Sequence, residues 1–318
     1  MPSGDVDISW QALRRIVHDF AGTATELLEF VPLHGGQINN TLELHLSDGQ
    51  KVVLKISSHR VDKSYEREAY QLNLLKSCGL PVPSVLAWKI GTLDDPFSYI
   101  LLEYIHGMDL GEAKRRATPE EFDALQAQLA EIVAAMHDQT NPRYMRVMEG
   151  GAETFENWPQ FYRSVYDAIW HEAERDRHLP KTTKKHIGKI HERLERFIVH
   201  SDCPRLVHWD LWNTNVMAAP PESGGGSNGA DKWRIAALLD PMCKFAHAEA
   251  EIAYLELFHT CTPTFLKTYH HRHKLDPDYH RFRKPIYQLY PMINHLNLFG
   301  ESYLKPLAAA VERTAHLV

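Results

Sequence analysis

At 318 residues the chain is long enough for two lobes of ordinary domain size, with a substantial core to bury. Its content of 44% hydrophobic and 24% charged residues is ordinary for a globular protein. The formal net charge of −6 leaves no basic footprint for nucleic acid, and no apolar run is long enough to span a bilayer.

In chain order, HGGQINNT at 34–41 reads as a turn between the first two strands of a strand-rich region. Residues 41–46 (TLELHL) alternate apolar and polar as a half-buried strand does, Ser47-Asp48-Gly49 signals a turn, and 51–56 (KVVLKI) resumes as a second strand. A helix is expected from Tyr65 to Ser77, stopped by GLPVP at 79–83, and YILLEYI at 99–105 reads as a further strand. Thr118-Pro119-Glu120-Glu121 is a helix start: Thr118 caps, Pro119 suits the first turn and Glu121 completes a capping box. Phe122, Leu125, Leu129, Ile132 and Met136 then recur at helical spacing, and 186–198 reads as another helix. Two short strand-like runs follow, at 205–210 and 234–240, separated by PPESGGGSNGAD at 220–231, read as a disordered surface loop. The expected fold is α+β and bilobal. Residues 1–104 would form a small strand-rich N-lobe, and residues 105–318 a larger, mainly helical C-lobe.

The strongest chemical signal is VHWDLWNTNV at 207–216, where His208-x-Asp210 precedes Asn215 at the spacing H-x-D-x-x-x-x-N of a kinase catalytic loop. An aspartate there accepts the proton of the attacking hydroxyl, and an asparagine holds magnesium beside the phosphates. The apolar run 235–239 ends in Asp240-Pro241, where a kinase places its second metal-binding carboxylate. Asp-Pro also starts ordinary turns. Lys55 ends the second hairpin strand, where an ammonium can neutralise the α- and β-phosphates. On the following helix Glu68 shares an apolar face with Tyr65, Ala69, Leu72 and Leu75, so it needs a charged partner, and Lys55 is the natural one. Gly35 and Gly36 would let the backbone approach phosphates closely. Each signal alone has a bland reading as turn, surface lysine or packing residue. Their common order along the chain carries the expectation of an ATP- and Mg2+-dependent phosphotransferase.

The segment VHWDLWNTN resembles the H-G-D-L-W-x-x-N loop of fructosamine/ketosamine 3-kinases, in the protein-kinase-like aminoglycoside phosphotransferase superfamily. The segments at 240–258 (DPMCKFAHAEAEIAYLELF) and 287–303 (YQLYPMINHLNLFGESY), with GGQIN and YEREAYQL nearer the start, resemble the same family. The resemblance implies phosphorylation of the 3-hydroxyl of ketosamines, free or on a glycated protein lysine, and a role in deglycation repair. It implies adenine binding on the backbone of Glu103 to Ile105, phosphate binding by Lys55 and Glu68, Asp210 as base, and Asn215 and Asp240 on magnesium. Trp212 would pack against the sugar and His295 would hydrogen-bond it; read without the family, both are packing residues. Glu251 would anchor the catalytic loop. Trp209 departs from the family by standing where glycine is usual, and Ala248 by standing where arginine is expected. The alternatives are another small-molecule kinase of the same fold, of choline or aminoglycoside type, and a pseudokinase.

The four cysteines, Cys78, Cys203, Cys243 and Cys261, form no C-x-x-C pair, so reduced thiols are the simplest reading. With no signal-peptide pattern at the start, the expected location is cytoplasmic. His270, His271 and His273 read as a solvated loop, because no further ligand completes a metal set.

Overall fold

The computed structural model describes residues 8–33, 40–58, 63–200, 202–221 and 232–318. Gly35, Gly36 and residues 222–231 of the low-complexity stretch lie outside the described residues. The chain forms two compact units. One comprises Met1–Arg116, Met148–Gly150 and Thr214–Pro241; the other comprises Ala117–Val147, Gly151–Asn213 and Met242–Val318.

The first unit is built on an antiparallel sheet with strand order β1-β2-β3-β5-β4. Its strands are β1 (Leu27–Pro32), β2 (Asn40–Leu46), β3 (Lys51–Ser57), β4 (Val85–Lys89) and β5 (Ser98–Glu103). The register pairs Leu42 with Leu54 and Leu44 with Val52, and Leu54 with Leu101. Side chains alternate across a strand, so these residues line one face. That face is covered by helix α1 (Trp10–Ala21), whose Leu13, Ile16 and Val17 recur at helical spacing and are buried in the same apolar cluster. Ser9 caps α1 by accepting from the Ala12 amide at 3.2 Å. Lys55, one residue beyond Leu54, is thereby turned to the opposite face. There helix α2 (Ser64–Ser77) buries Tyr65, Ala69, Leu72 and Leu75. A second sheet pairs Met108–Asp109, Val216–Ala219 and Arg234–Leu238. Gly107 makes this approach possible: at φ 155°, a Cβ there would sit 2.5 Å from the Ala218 carbonyl oxygen.

The second unit is mainly helical. Thr118 and Glu121 form the expected capping box at the head of helix Pro119–His137, with contacts of 3.3 and 2.8 Å. Helices Trp158–Arg175, Ala248–Leu257, Pro263–Arg272 and Lys284–Phe299 surround it, with a four-stranded sheet of short strands at 144–146, 154–155, 205–207 and 244–246. The α+β expectation stands.

Local expectations needed correction in three respects. The helix expected over 186–198 is two helices, Lys181–Glu192 and Leu194–Ile198, because Arg193 leaves the helical region at φ −112° and ψ 8°. The strands expected over 99–105, 205–210 and 234–240 stop at Glu103, Val207 and Leu238. His270 and His271 occupy the last turn of helix Pro263–Arg272 rather than a loop, and His273 caps it, with Nε2 3.2 Å from the Ala134 carbonyl oxygen and 2.9 Å from Asp138. No group of three metal-ligating side chains occurs among the described residues.

Candidate active site

In the first unit, three charges meet behind the sheet. Lys55 Nζ donates to Glu68 Oε1 at 2.6 Å and to Asp240 Oδ1. Lys55 comes from the middle of β3 and Glu68 from α2. Burial opposes charge on the Lys55 ammonium, yet Glu68 and then Asp240 outweigh it and hold its pKa above the ordinary lysine value. Burial, with Asp240 adding to it, raises the Glu68 pKa against the pull of Lys55. With two carboxylates to one ammonium, the cluster carries an excess negative charge that favours a further cation.

Asn215 and Asp240 are set beside each other by a hairpin. The strands pair Val216 with Leu238, and the Leu239 amide donates to the Asn215 carbonyl oxygen at 2.9 Å. Asn215 is buried, whereas the Asp240 side chain is 44% exposed. Asp240 sits at φ 57°, in the left-handed region that aspartate tolerates better than most residues. An amide oxygen and a carboxylate are the hard oxygen donors that suit Mg2+, so the donor set fits that ion.

Glu103 and Ile105 lie where β5 ends. The Glu103 amide donates to the Ser84 carbonyl oxygen at 2.9 Å. Its carboxylate accepts from the Ser84 amide at 3.0 Å and from the Ser84 hydroxyl at 2.6 Å; the hydroxyl bond is the main cause of its lowered pKa. This fixes the end of the strand, and Ile105 follows half-buried.

In the second unit, one helix holds the loop that carries Asp210. Along Ala248–Leu257 and just beyond it, Glu251, Tyr254 and Phe258 follow at three- and four-residue steps, the spacing of one helical face. Glu251 Oε1 accepts from the Trp209 amide at 2.7 Å. Tyr254 donates its hydroxyl to Asp210 Oδ1 at 2.5 Å. The Phe258 carbonyl oxygen accepts from the Asn213 side chain at 3.4 Å. Glu251 is almost wholly buried, and its Oε2 accepts from His137 Nε2 at 2.8 Å. His137 Nδ1 lies 2.7 Å from the Tyr269 hydroxyl. Trp212 and His295 are both brought to the Phe258 ring, with centroids 6.4 and 5.4 Å away. Burial lowers the His295 pKa to about 4, so its imidazole is neutral at pH 7. Trp209 holds a φ of 72°. Its ring meets Tyr290 edge-on at 5.5 Å and lies 4.4 Å from the Lys244 ammonium.

The family model described as fructosamine kinase matches residues 9–316. The chain belongs to the fructosamine kinase family. It is 27% identical over 282 residues to a probable ketoamine kinase of Enterococcus faecium, covering 86% of this chain and 90% of that one. A probable ketoamine kinase of Vibrio parahaemolyticus is 26% identical over 313 residues, covering 96% and 98%. Among solved structures, a Haemophilus somnus protein carrying the name fructosamine-3-kinase aligns with a TM-score of 0.74 at 20% identity, over 96% of this chain and 98% of that one. An aminoglycoside phosphotransferase, APH(4)-Ia, in ternary complex with AMP-PNP and hygromycin B aligns with a TM-score of 0.65 at 18% identity, over 96% and 99%. These structural likenesses establish the protein-kinase-like fold. As a family member, the chain is an ATP-dependent phosphotransferase.

The family pattern also frames what sequence reasoning missed. Trp209 occupies a left-handed backbone position, which accounts for the glycine usual there. Tyr254 and Phe258 were not singled out, nor was Ser84 as the partner of Glu103. One signal was available. The helix Ala248–Leu257 sets Glu249, Glu251 and Glu256 among small and apolar residues with no separate polar face, so each buried polar side chain on it needs a partner.

Proposed function

We propose that this fructosamine kinase family member transfers the γ-phosphoryl group of ATP to the 3-hydroxyl of a ketosamine, a 1-amino-1-deoxyketose on a free amine or on a glycated protein lysine. The match to the family over residues 9–316 carries this reading. The carboxylate and ammonium groups described above support it.

In this reading Asp210 is the base. The acceptor hydroxyl oxygen bonds to the γ-phosphorus, the bond to the bridging oxygen breaks, and ADP departs with that electron pair. The hydroxyl proton passes late to Asp210. Lys55, held by Glu68, neutralises the α- and β-phosphates. Asn215 and Asp240 hold Mg2+, which when bound offsets the negative charge of the phosphates. The backbone at Glu103 and Ile105 receives the adenine. Trp212 packs on the sugar and His295, neutral at pH 7, hydrogen-bonds a sugar hydroxyl. Gly35 and Gly36 precede β2 and would approach the phosphates. A phosphate on C3 is a leaving group: after enolisation of the C2 carbonyl towards C1 it departs, and hydrolysis frees the amine. That sequence would make the reaction a repair of glycated amines.

The test is ATP-dependent turnover of fructosyl-lysine and ribulosyl-lysine beside choline and kanamycin, with the phosphorylated carbon assigned by NMR. Phosphate on C3 of either ketosamine is expected. Turnover of choline or kanamycin alone would replace the proposed acceptor by that of another small-molecule kinase.

A further inference from the structure

We propose that Phe299 and Tyr303 form an aromatic shelf beside the sugar-binding residues, which receives the protonated nitrogen of the acceptor and the alkyl chain it carries. The substrate class this favours is a ketosamine of an alkyl amine, such as a lysine side chain, over one with no chain on nitrogen. The inference rests on the reading of ketosamines as acceptors and of Trp212 and His295 as the residues that hold the sugar.

The local sequence builds the shelf. His295 and Phe299 are one turn apart on helix Lys284–Phe299, so they share a face. Gly300 stops that helix at φ 65°, a backbone position suited to glycine, and its amide donates to the Leu296 carbonyl oxygen. The short 3-10 turn Gly300–Tyr303 then brings Tyr303 back to the same side. The Tyr303 ring meets His295 edge-on at 4.8 Å and lies 5.5 Å from Phe299, which is itself 5.4 Å from His295. Phe258, 5.4 Å from His295 and 6.4 Å from Trp212, makes the five rings contiguous. The series adjoins the catalytic loop, because the Tyr254 ring packs on Phe258 at 4.6 Å and its hydroxyl donates to Asp210.

Exposure separates this cluster from ordinary packing. The other large aromatic cluster described in this unit, Trp158, Phe161, Tyr162, Tyr166 and Tyr287, is at most 3% exposed and is core. Trp212, Phe258, His295, Phe299 and Tyr303 are each only half-buried. Contiguous half-open aromatic surface marks a binding face more than a seal.

The two ends of the acceptor compete for it. The faces of Phe258, Phe299 and Tyr303 offer a sugar hydroxyl no hydrogen bond in exchange for its water. An ammonium is attracted to an aromatic face, and methylenes gain by leaving water against it. The amine end wins. Neighbouring charges do not oppose it: His295 is neutral at pH 7, and Glu301 in the same turn pairs with His178 Nδ1 at 3.0 Å.

The experiment measures kcat and KM of the full chain on 1-amino-1-deoxyfructose, its N-butyl derivative and fructosyl-lysine. It is run on the wild type, Tyr303→Ala and Phe299→Leu, with thermal unfolding of each. In the wild type, kcat/KM should rise at least about ten-fold from the chain-free acceptor to either substituted one. Tyr303→Ala should remove most of that rise, through KM for the acceptor rather than through kcat or KM for ATP. Phe299→Leu keeps apolar area but loses the ring face, and should remove part of it. Equal kcat/KM for chain-free and N-butyl acceptors in the wild type overturns the inference and leaves the ketosamine reading intact. So does a rise that survives in Tyr303→Ala, where an equal loss on all three acceptors would make Tyr303 only structural. Should Tyr303→Ala not fold, the wild-type series and Phe299→Leu decide. Silence of the wild type on all three ketosamines removes the acceptor reading, and the inference with it.

Discussion

Trp209 shows how one residue can run against backbone preference beside a reacting group. A bulky side chain at φ 72° costs about 1 kcal/mol relative to glycine. The ring offsets this through Tyr290 and the Lys244 ammonium. Two variants separate the terms, since both delete the ring. In regular structure alanine is the more stabilising by about 0.5–1 kcal/mol; here the order should reverse, with Trp209→Gly more stable than Trp209→Ala by about 1 kcal/mol in urea unfolding. Alanine equal to or above glycine would mean that the loop relaxes and the strain is not retained. Lys55 illustrates a different constraint at this scale. It is buried, yet it stays charged because Glu68 and Asp240 both contact it.

Among the elements of the second unit, a stack of two histidines sets a pH dependence. His200 and His247 lie face to face with ring centroids 3.4 Å apart and an interplanar angle of 14°. Burial lowers the His200 pKa to about 4, with Arg283 also lowering it and Asp202 opposing. Burial, then His200 and Arg283, lowers that of His247 well below 6.5. The unfolded chain takes up protons near pH 6.5 that the folded stack refuses, so stability is present above that pH and falls as pH drops towards 4. The slope is about 1.4 kcal/mol per pH unit for each histidine. His295, also lowered to about 4, adds to it. The melting temperature should fall between pH 7 and 5, and His200→Gln should flatten the fall; an unchanged slope in that variant would assign it elsewhere. Other elements are legible in the amino-acid sequence alone. The alternation in 41–46, the turn at 47–49 and the apolar run in 51–56 give the hairpin and the face of Lys55, and Thr118 with Glu121 gives a helix start, because those signals are local. The break at Arg193 carries no proline or glycine. The grip of Glu251 and Tyr254 on residues 209 and 210 spans more than 40 positions of chain, and a helix with no separate polar face does not announce which residue meets which.

Across the whole molecule, the groups proposed for the nucleotide and those proposed for the acceptor belong to different units. Lys55, Glu68, Asn215 and Asp240 lie in the first, and Asp210, Trp212 and His295 in the second. The catalytic-loop motif itself passes from one unit to the other between Asn213 and Thr214. Its residues were readable because the motif is contiguous, whereas Lys55 and Asp240 are separated by 185 positions and only their order along the chain linked them. The division has a direct consequence. Loss of the base should abolish transfer without touching the groups that hold nucleotide. The decisive measurement is therefore made on Asp210→Asn, with ketosamine phosphorylation and MgATP-induced stabilisation read on the same sample. The account predicts a fall in turnover of at least about 100-fold, with the ATP-dependent rise in melting temperature retained. Full turnover by Asp210→Asn would contradict the assignment of Asp210 as the base.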